Sequence, residues 1–249
     1  MARKLRRGFI IPDAHFPYQD IHAWKLTIKA AKYFKPDILI NLGDCFDFNC
    51  LSSFRKTPIQ LKNRDLLMDE LYNVKDAVRD MDSIGAKRKI FCEGNHEQRL
   101  DKYVADYAPL LTGYLNVPDL TGMDKSWEYI AHGDHAQIGS TYFTHDIGFS
   151  GANAVSSSQR AYGTSVVIGH SHRMDYKVTG NVHGESRTGA SFGWLGDTTE
   201  VEYMHKVKIN REWTHGFGIF YYDTETGHVY ITPVPIVDGV VCLEGKIIR

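Results

Sequence analysis

Five short polar clusters carry side chains able to do chemistry: Asp13-Ala14-His15, Gly43-Asp44-Cys45-Phe46-Asp47, Gly94-Asn95-His96-Glu97, Thr144-His145-Asp146 and Gly169-His170-Ser171-His172. Together they offer carboxylates, an amide carbonyl and imidazoles, but no thiolate, since Cys45 reads as a small packing residue rather than a ligand. That mixed nitrogen and oxygen set suits Mn, Fe, Zn or Ni better than a soft metal or an all-oxygen calcium site. Asp13 and His15 are two residues apart, so on extended backbone both side chains leave the same face; His170 and His172 repeat the spacing. Either pair alone is common on surface loops, and the weight comes from the order of the clusters and their position after apolar runs. Two divalent cations about 3.5–4 Å apart need a bridging carboxylate and can share a hydroxide. That hydroxide would attack phosphorus in line while the cations absorb charge on the phosphoryl oxygens. Asp44, at the end of an apolar run, is the natural bridge.

The clusters need strands to position them, because loops at strand ends combine a fixed position with an adaptable backbone. Gly8-Phe9-Ile10-Ile11-Pro12 reads as a buried strand stopping at Asp13, and the basic residues 1–7 read as a solvated lead-in rather than a nucleic-acid arm. Residues 20–34 have helical spacing with Asp20 as N-cap, broken by Lys35-Pro36. Residues 37–42 form a second apolar strand ahead of Gly43-Asp44. An amphipathic stretch over residues 60–84 ends at Gly85, and residues 88–92 make a third strand running into Glu93-Gly94. Strand alternating with helix predicts a parallel α/β half. Residues 127–131, 137–144, 164–168 and 217–222 are short β-branched or aromatic runs separated by turn residues, and residues 153–162 suggest one more helix. The Trp213-Thr214-His215-Gly216-Phe217-Gly218 run reads as a continuation of the second sheet. The expectation is an α/β fold, two packed sheets flanked by helices, with residues 1–249 as a single domain.

The chain has 249 residues, 43% hydrophobic and 24% charged, with a formal net charge of −1. Those values suit an ordinary globular protein and exclude one that coats a polyanion by bulk charge. No apolar run approaches the roughly 20 residues that span a bilayer, and no apolar signal segment opens the chain, so no membrane partner and a cytoplasmic location are expected. Cys45, Cys50, Cys92 and Cys242 lack zinc-ribbon spacing and read mostly as reduced thiols with packing roles.

The ordered set D-x-H, G-D-x-x-D, G-N-H-E, H and G-H-x-H, from Asp13 to His172, resembles the calcineurin-like metallophosphoesterase superfamily. Gly94-Asn95-His96-Glu97-Gln98-Arg99-Leu100 is also similar to small phosphoesterases encoded by bacteriophages. The resemblance implies a four-layer αββα sandwich with a dimetal centre, Mn leading among the candidate metals. Carried over by motif, Asp13, His15, Asp44 and His172 would hold one ion, and Asp44, Asn95, His145 and His170 the other. His96 takes the family's role of a histidine that is not a ligand but protonates the leaving oxygen, and Asp47 resembles the aspartate that orients it. The competing readings are a structural histidine in a turn and an ordinary loop cap.

Two departures from the family pattern matter. The fourth motif usually reads His-Gly, which His132-Gly133 matches and His145-Asp146 does not. His145 is preferred because a credible strand over residues 141–144 leads into it, whereas His132 falls in a turn. Secondly, protein Ser/Thr phosphatases of the superfamily place an Arg after the motif Asp, where this chain has Phe48. Arg99 and Arg173 flank the motifs and could grip substrate phosphate, with surface salt bridges as the alternative. Tyr18, Trp194 and Trp213 read as packing residues before base-stacking ones. The expected activity is hydrolysis of a phosphodiester in a nucleotide or nucleic acid. The alternatives are a phosphomonoesterase acting on nucleotides or phosphoproteins, and a non-catalytic scaffold on the same fold. Residues 188–249 are expected to help shape the cleft walls.

Overall fold

The computed structural model describes residues 5–53, 67–200 and 212–249. In chain order its strands are β1 (Leu5–Ile11), β2 (Ile38–Asn41), β3 (Arg88–Cys92), β4 (Trp127–Ile130), β5 (Ala136–Ile138), β6 (Thr141–Thr144), β7 (Ser165–Ile168), β8 (Met174–Gly180) and β9 (Ser186–Phe192). They are followed by β10 (Gly216–Asp223), β11 (Val229–Pro235), β12 (Val241–Leu243) and β13 (Lys246–Ile248). The α-helices are α1 (Ile21–Phe34), α2 (Leu67–Asp82), α3 (Gln98–Tyr107), α4 (Val117–Thr121) and α5 (Ala154–Tyr162).

Two mixed sheets form the centre. The first runs β11-β10-β1-β2-β3-β4 and the second β5-β6-β7-β9-β8, with β12-β13 as a separate hairpin. Strands β1 to β4 are mutually parallel, as a strand–helix alternation requires, and β10 joins β1 antiparallel. Alternation along each strand divides the core into layers. Ile10, Ile40 and Ile90 point to one side and meet Phe143, Val167 and Phe192 of the second sheet. Phe9, Leu39 and Phe91 point to the other side and pack with Trp24, Phe34, Val74 and Met81 of α1 and α2. On the far side of the second sheet, Val166 and Ile168 bury Ala154 and Val155 of α5. This is the four-layer αββα sandwich that the motif order implied.

Local rules account for α1. Asp20 caps it by accepting from the Ala23 amide at 2.8 Å, and Lys35 ends it in the left-handed region. The structure corrects several expectations. Strand β1 begins at Leu5, so Arg6 and Arg7 belong to the strand rather than to a lead-in; residues 1–4 lie outside the described residues. The first part of the 60–84 stretch also lies outside them, and its described part is α2. The 137–144 run is a hairpin, split around Gly139 and Ser140 into β5 and β6. Gly139 (φ +53) sits so close to the Gly227 carbonyl that a Cβ would lie 2.1 Å away. Strands β4 and β10 extend the first sheet, not the second. Period-2 patterning states that a run is a strand but not which edge it joins, and β10 reaches β1 from far along the chain.

Candidate metal centre

The five polar clusters converge at the C-terminal ends of the parallel strands. Asp13 follows β1, Asp44 follows β2, Asn95 and His96 follow β3, His145 follows β6, and His170 and His172 follow β7. The ligand atoms of Asp13, His15, Asp44 and His172 all lie within 4.8 Å of one another, and those of Asp44, His145 and His170 do the same. Asp44 belongs to both groups. Its Oδ2 lies 3.2 Å from His145 Nε2, which also lies 3.2 Å from Asn95 Oδ1 and 3.9 Å from Asp146 Oδ2. Asp13 Oδ2 lies 3.2 Å from His172 Nε2. Asp13, His15, Asp44, His145 and His172 are all buried.

The convergence does not come from extended backbone, which the two-residue spacing assumed. His15, Asp44, His170 and His172 all have positive φ, at 55°, 46°, 61° and 56°. Each turns its side chain inward by a left-handed kink, a conformation that L-residues adopt only where surrounding structure fixes it. Two motif glycines are explained by the same crowding. A Cβ on Gly94 would lie 2.2 Å from Asp44 Oδ1, and one on Gly169 would lie 2.7 Å from Asp13 Oδ1.

The second nitrogen of each imidazole decides what the first can do. His145 Nδ1 lies 2.8 Å from the Leu42 carbonyl and donates to it, which turns Nε2 toward Asp44. His15 Nδ1 lies 3.1 Å from Asp47 Oδ2, so His15 Nε2 also faces inward, 3.0 Å from His172 Nε2. Two inward imidazole nitrogens at that distance, beside two buried carboxylates, form a donor set that a divalent cation satisfies and a hydrogen bond alone does not. Asp13 Oδ1 is buried without a hydrogen-bond partner among the described residues, which agrees with that fit.

Electrostatics separate the groups. Burial favours the neutral form of Asp13 and raises its pKa. For Asp44 burial acts in the same direction, but His145 and His96 outweigh it and hold the carboxyl well below the usual range. Burial also lowers the His15 and His172 imidazoles, the latter to about 3. His145 is pushed up to about 10, because the Asp44 carboxylate beside it overcomes the burial cost.

His96 stands outside these two groups, though with His15 and Asp47 it makes a third set of possible ligands, and its Nε2 lies 3.8 Å from Asp44 Oδ2. Its Nδ1 lies 3.1 Å from Asp47 Oδ2, and its amide donates to Asp44 Oδ1 at 2.9 Å. Burial alone would lower its pKa, but the Asp44 and Asp47 carboxylates raise it above the ordinary histidine value. Arg99 donates to the Asp47 carbonyl at 2.7 Å and to Asp47 Oδ1 at 2.9 Å, and its Nη2 lies 3.3 Å from His96 Nε2. Arg173 follows His172 but turns to Glu212, with Nε 3.4 Å from the carboxylate. His132 lies in the turn between β4 and β5; its Nε2 lies 3.3 Å from Asp146 Oδ2 and its ring centroid 6.5 Å from that of His145. Phe48 is buried in the helix-side core against Phe46. Trp194 is buried and stacks on His172 at 4.9 Å, and Trp213 meets the same ring edge-on at 4.3 Å. Tyr18 accepts a hydrogen bond from Asn49 Nδ2 at 3.2 Å.

One residue that the sequence left without a role is central to the geometry. Glu97 is fully buried and accepts from the amides of Asp44 and Gly94 through Oε2, both at 2.9 Å, and from Phe46 through Oε1 at 2.8 Å. It ties the loop after β2 to the loop after β3. Burial, with Asp44 nearby, raises its pKa to about 8. Its place in Gly94-Asn95-His96-Glu97 was the available signal. All four cysteines are free thiols, with Cys45, Cys50 and Cys92 buried.

A two-sheet sandwich with histidines and aspartates at the strand ends is the frame of a metal-dependent phosphoesterase. The chain belongs to the calcineurin-like phosphoesterases, whose family model matches residues 9–208. The Gene 54 protein of Mycobacterium phage L5 is 26% identical, over 97% of this chain and 98% of its own length. The Gene 54 protein of Mycobacterium phage D29 is 24% identical over the same shares. These phage relatives agree with the bacteriophage resemblance of residues 94–100. A solved structure, TT1561 of Thermus thermophilus, has 9% identity, covering 92% of this chain and 99% of its own, at a TM-score of 0.39. Among the described residues no helix is long and apolar enough to cross a membrane.

Proposed function

We propose that the chain hydrolyses phosphodiesters, with a nucleotide or nucleic acid as substrate. One observation carries the phosphoester-hydrolysis part of this reading: two ligand groups share Asp44, and His96 stands beside them, 3.1 Å from Asp47. In this reading Asp13, His15, Asp44 and His172 hold one divalent cation and Asp44, Asn95, His145 and His170 the other. Two bound cations supply Lewis acidity at the phosphoryl oxygens and an ionised water as nucleophile. The donor set suits Mn, with Fe, Zn and Ni as competitors.

The chain's own residues supply the rest. Asp47 Oδ2 lies 3.1 Å from His96 Nδ1, and in this reading Nε2 delivers a proton to the leaving oxygen. The Asp44 and Asp47 carboxylates raise the His96 pKa, which favours the protonated ring, while Arg99 opposes them. Arg99 presents its guanidinium at the same ring edge, where a phosphoryl oxygen would arrive, and is the first choice for a substrate contact. Arg173 is a second choice, since it turns to Glu212 whereas Arg99 lies against His96. Phe48 favours the diester over the phosphoprotein monoester, because a buried phenyl ring cannot bind phosphate where the protein phosphatases place an Arg.

The test is a panel with Mn-loaded protein and bis(p-nitrophenyl) phosphate, p-nitrophenyl phosphate, cyclic nucleotides, and single- and double-stranded DNA. Turnover of the diesters is expected. Turnover of the monoester alone would replace the diesterase reading with a phosphomonoesterase. A folded, metal-loaded protein that turns over nothing would point to a scaffold.

A further inference from the structure

A cleft of about 350 Å³ begins at Arg99 and is lined by Leu51, Ser52, Lys102, Tyr103 and Tyr107 among others. Arg99, Tyr103 and Tyr107 recur at intervals of four along α3, so they share one face and form a stripe leading away from the metal centre. The stripe starts at the guanidinium that touches Asp47 and His96. Tyr103 and Tyr107 are exposed, with ring centroids 5.0 Å apart. Two tyrosines left in water beside a reactive centre are not explained by core packing. Lys102 makes no ion pair among the described residues, and the cleft's carboxylate, Asp106, adjoins Tyr107 at the end remote from Arg99. Positive charge therefore lies near the metal centre and the aromatic surface lies beyond it.

Resting on the diesterase reading, we propose that this cleft binds the leaving-group side of a single-stranded nucleic acid. The scissile phosphate sits at the metal centre beside Arg99, the next phosphate meets Lys102, and a base stacks on Tyr103 and Tyr107. Aromatic stacking accepts any base and needs an unpaired one, while a lysine reads phosphate charge without sequence. Asp106 disfavours a phosphate at the far end and so leaves that end to the base.

The test measures binding without turnover. Fluorescence anisotropy in EDTA would compare a short fluorescein-labelled oligothymidylate with an abasic oligomer of equal length. The wild-type protein should prefer the base-bearing probe by about tenfold. Tyr103→Ala with Tyr107→Ala should abolish that preference, whereas Tyr103→Phe with Tyr107→Phe should keep it. Lys102→Ala should weaken both probes alike and lower the salt slope by about one. Tyr114→Ala, which removes another exposed tyrosine outside the cleft lining, should change neither. Equal affinity of the wild type for the two probes, or an unchanged preference in the double alanine variant with α3 intact by circular dichroism, would overturn the cleft assignment. A retained preference in a protein that hydrolyses no diester would keep the cleft and remove the reaction proposed for it.

Discussion

His96 and His145 are both buried histidines beside Asp44, yet their second nitrogens give them different capacities. His145 Nδ1 is committed to the Leu42 carbonyl, so Nε2 points into the ligand group at 3.2 Å from Asp44 Oδ2; His96 Nδ1 lies 3.1 Å from Asp47 Oδ2 without a hydrogen bond, and its Nε2 lies 3.3 Å from Arg99 Nη2 and 3.8 Å from Asp44 Oδ2. His96→Ala should therefore keep its metal content, measured by elemental analysis, while turnover falls by about 10²–10⁴-fold, the usual contribution of a positioned acid. Loss of metal would show that His96 is a ligand. His145→Ala should lower the metal content and His132→Ala should not, because His145 belongs to a ligand group whereas the His132 imidazole pairs with Asp146. The reverse result would restore the His-Gly dipeptide as the fourth motif.

At the scale of elements, the site depends on two loops being held together. Glu97, immediately before α3, gathers three buried amides from the loops after β2 and β3. Leaving a buried donor unsatisfied costs about 1–3 kcal/mol, so Glu97→Ala should cost about 3 kcal/mol or more in urea unfolding. Glu97→Gln keeps an accepting oxygen and should lose less. Unchanged stability in the alanine variant would mean that water replaces the carboxylate without cost. Gly94 contributes by lacking a side chain: Gly94→Ala places a methyl against Asp44 and should reduce metal content even in folded protein.

At the scale of the molecule, the two sheets must face each other for the clusters to meet. Strands β1 to β3 bring Asp13, Asp44 and Asn95, while β6 and β7 bring His145, His170 and His172 from the opposite sheet. Phe192 is fully buried in the layer between them, and Phe192→Ala should destabilise the protein by about 3–5 kcal/mol. Cations that join ligands from both sheets stabilise the folded state over the unfolded one by mass action. Adding Mn should raise the melting temperature, and EDTA should remove the increment. Scanning fluorimetry that found no Mn-dependent shift would argue against a site spanning the sheets.

Much of this protein could be read from one dimension. The strands before Asp13, Asp44 and Gly94, the Asp20-capped helix and the ordered clusters depend on local patterning, which each stretch of chain carries by itself. The two-residue spacing of Asp13 and His15 pointed to convergence, but through an extended backbone; the left-handed kinks at His15, Asp44, His170 and His172 are held by neighbours distant in sequence. The sheet that takes β4 and β10, the triple grip of Glu97, and the cleft that Cys50 and Leu51 share with Tyr103 also join residues far apart along the chain. Sequence determined which residues could bind cations and move a proton, because chemistry and short-range order belong to the residues themselves. Only the tertiary structure decided which nitrogen of each histidine faces inward and what lies beside it, because those depend on packing between the two sheets.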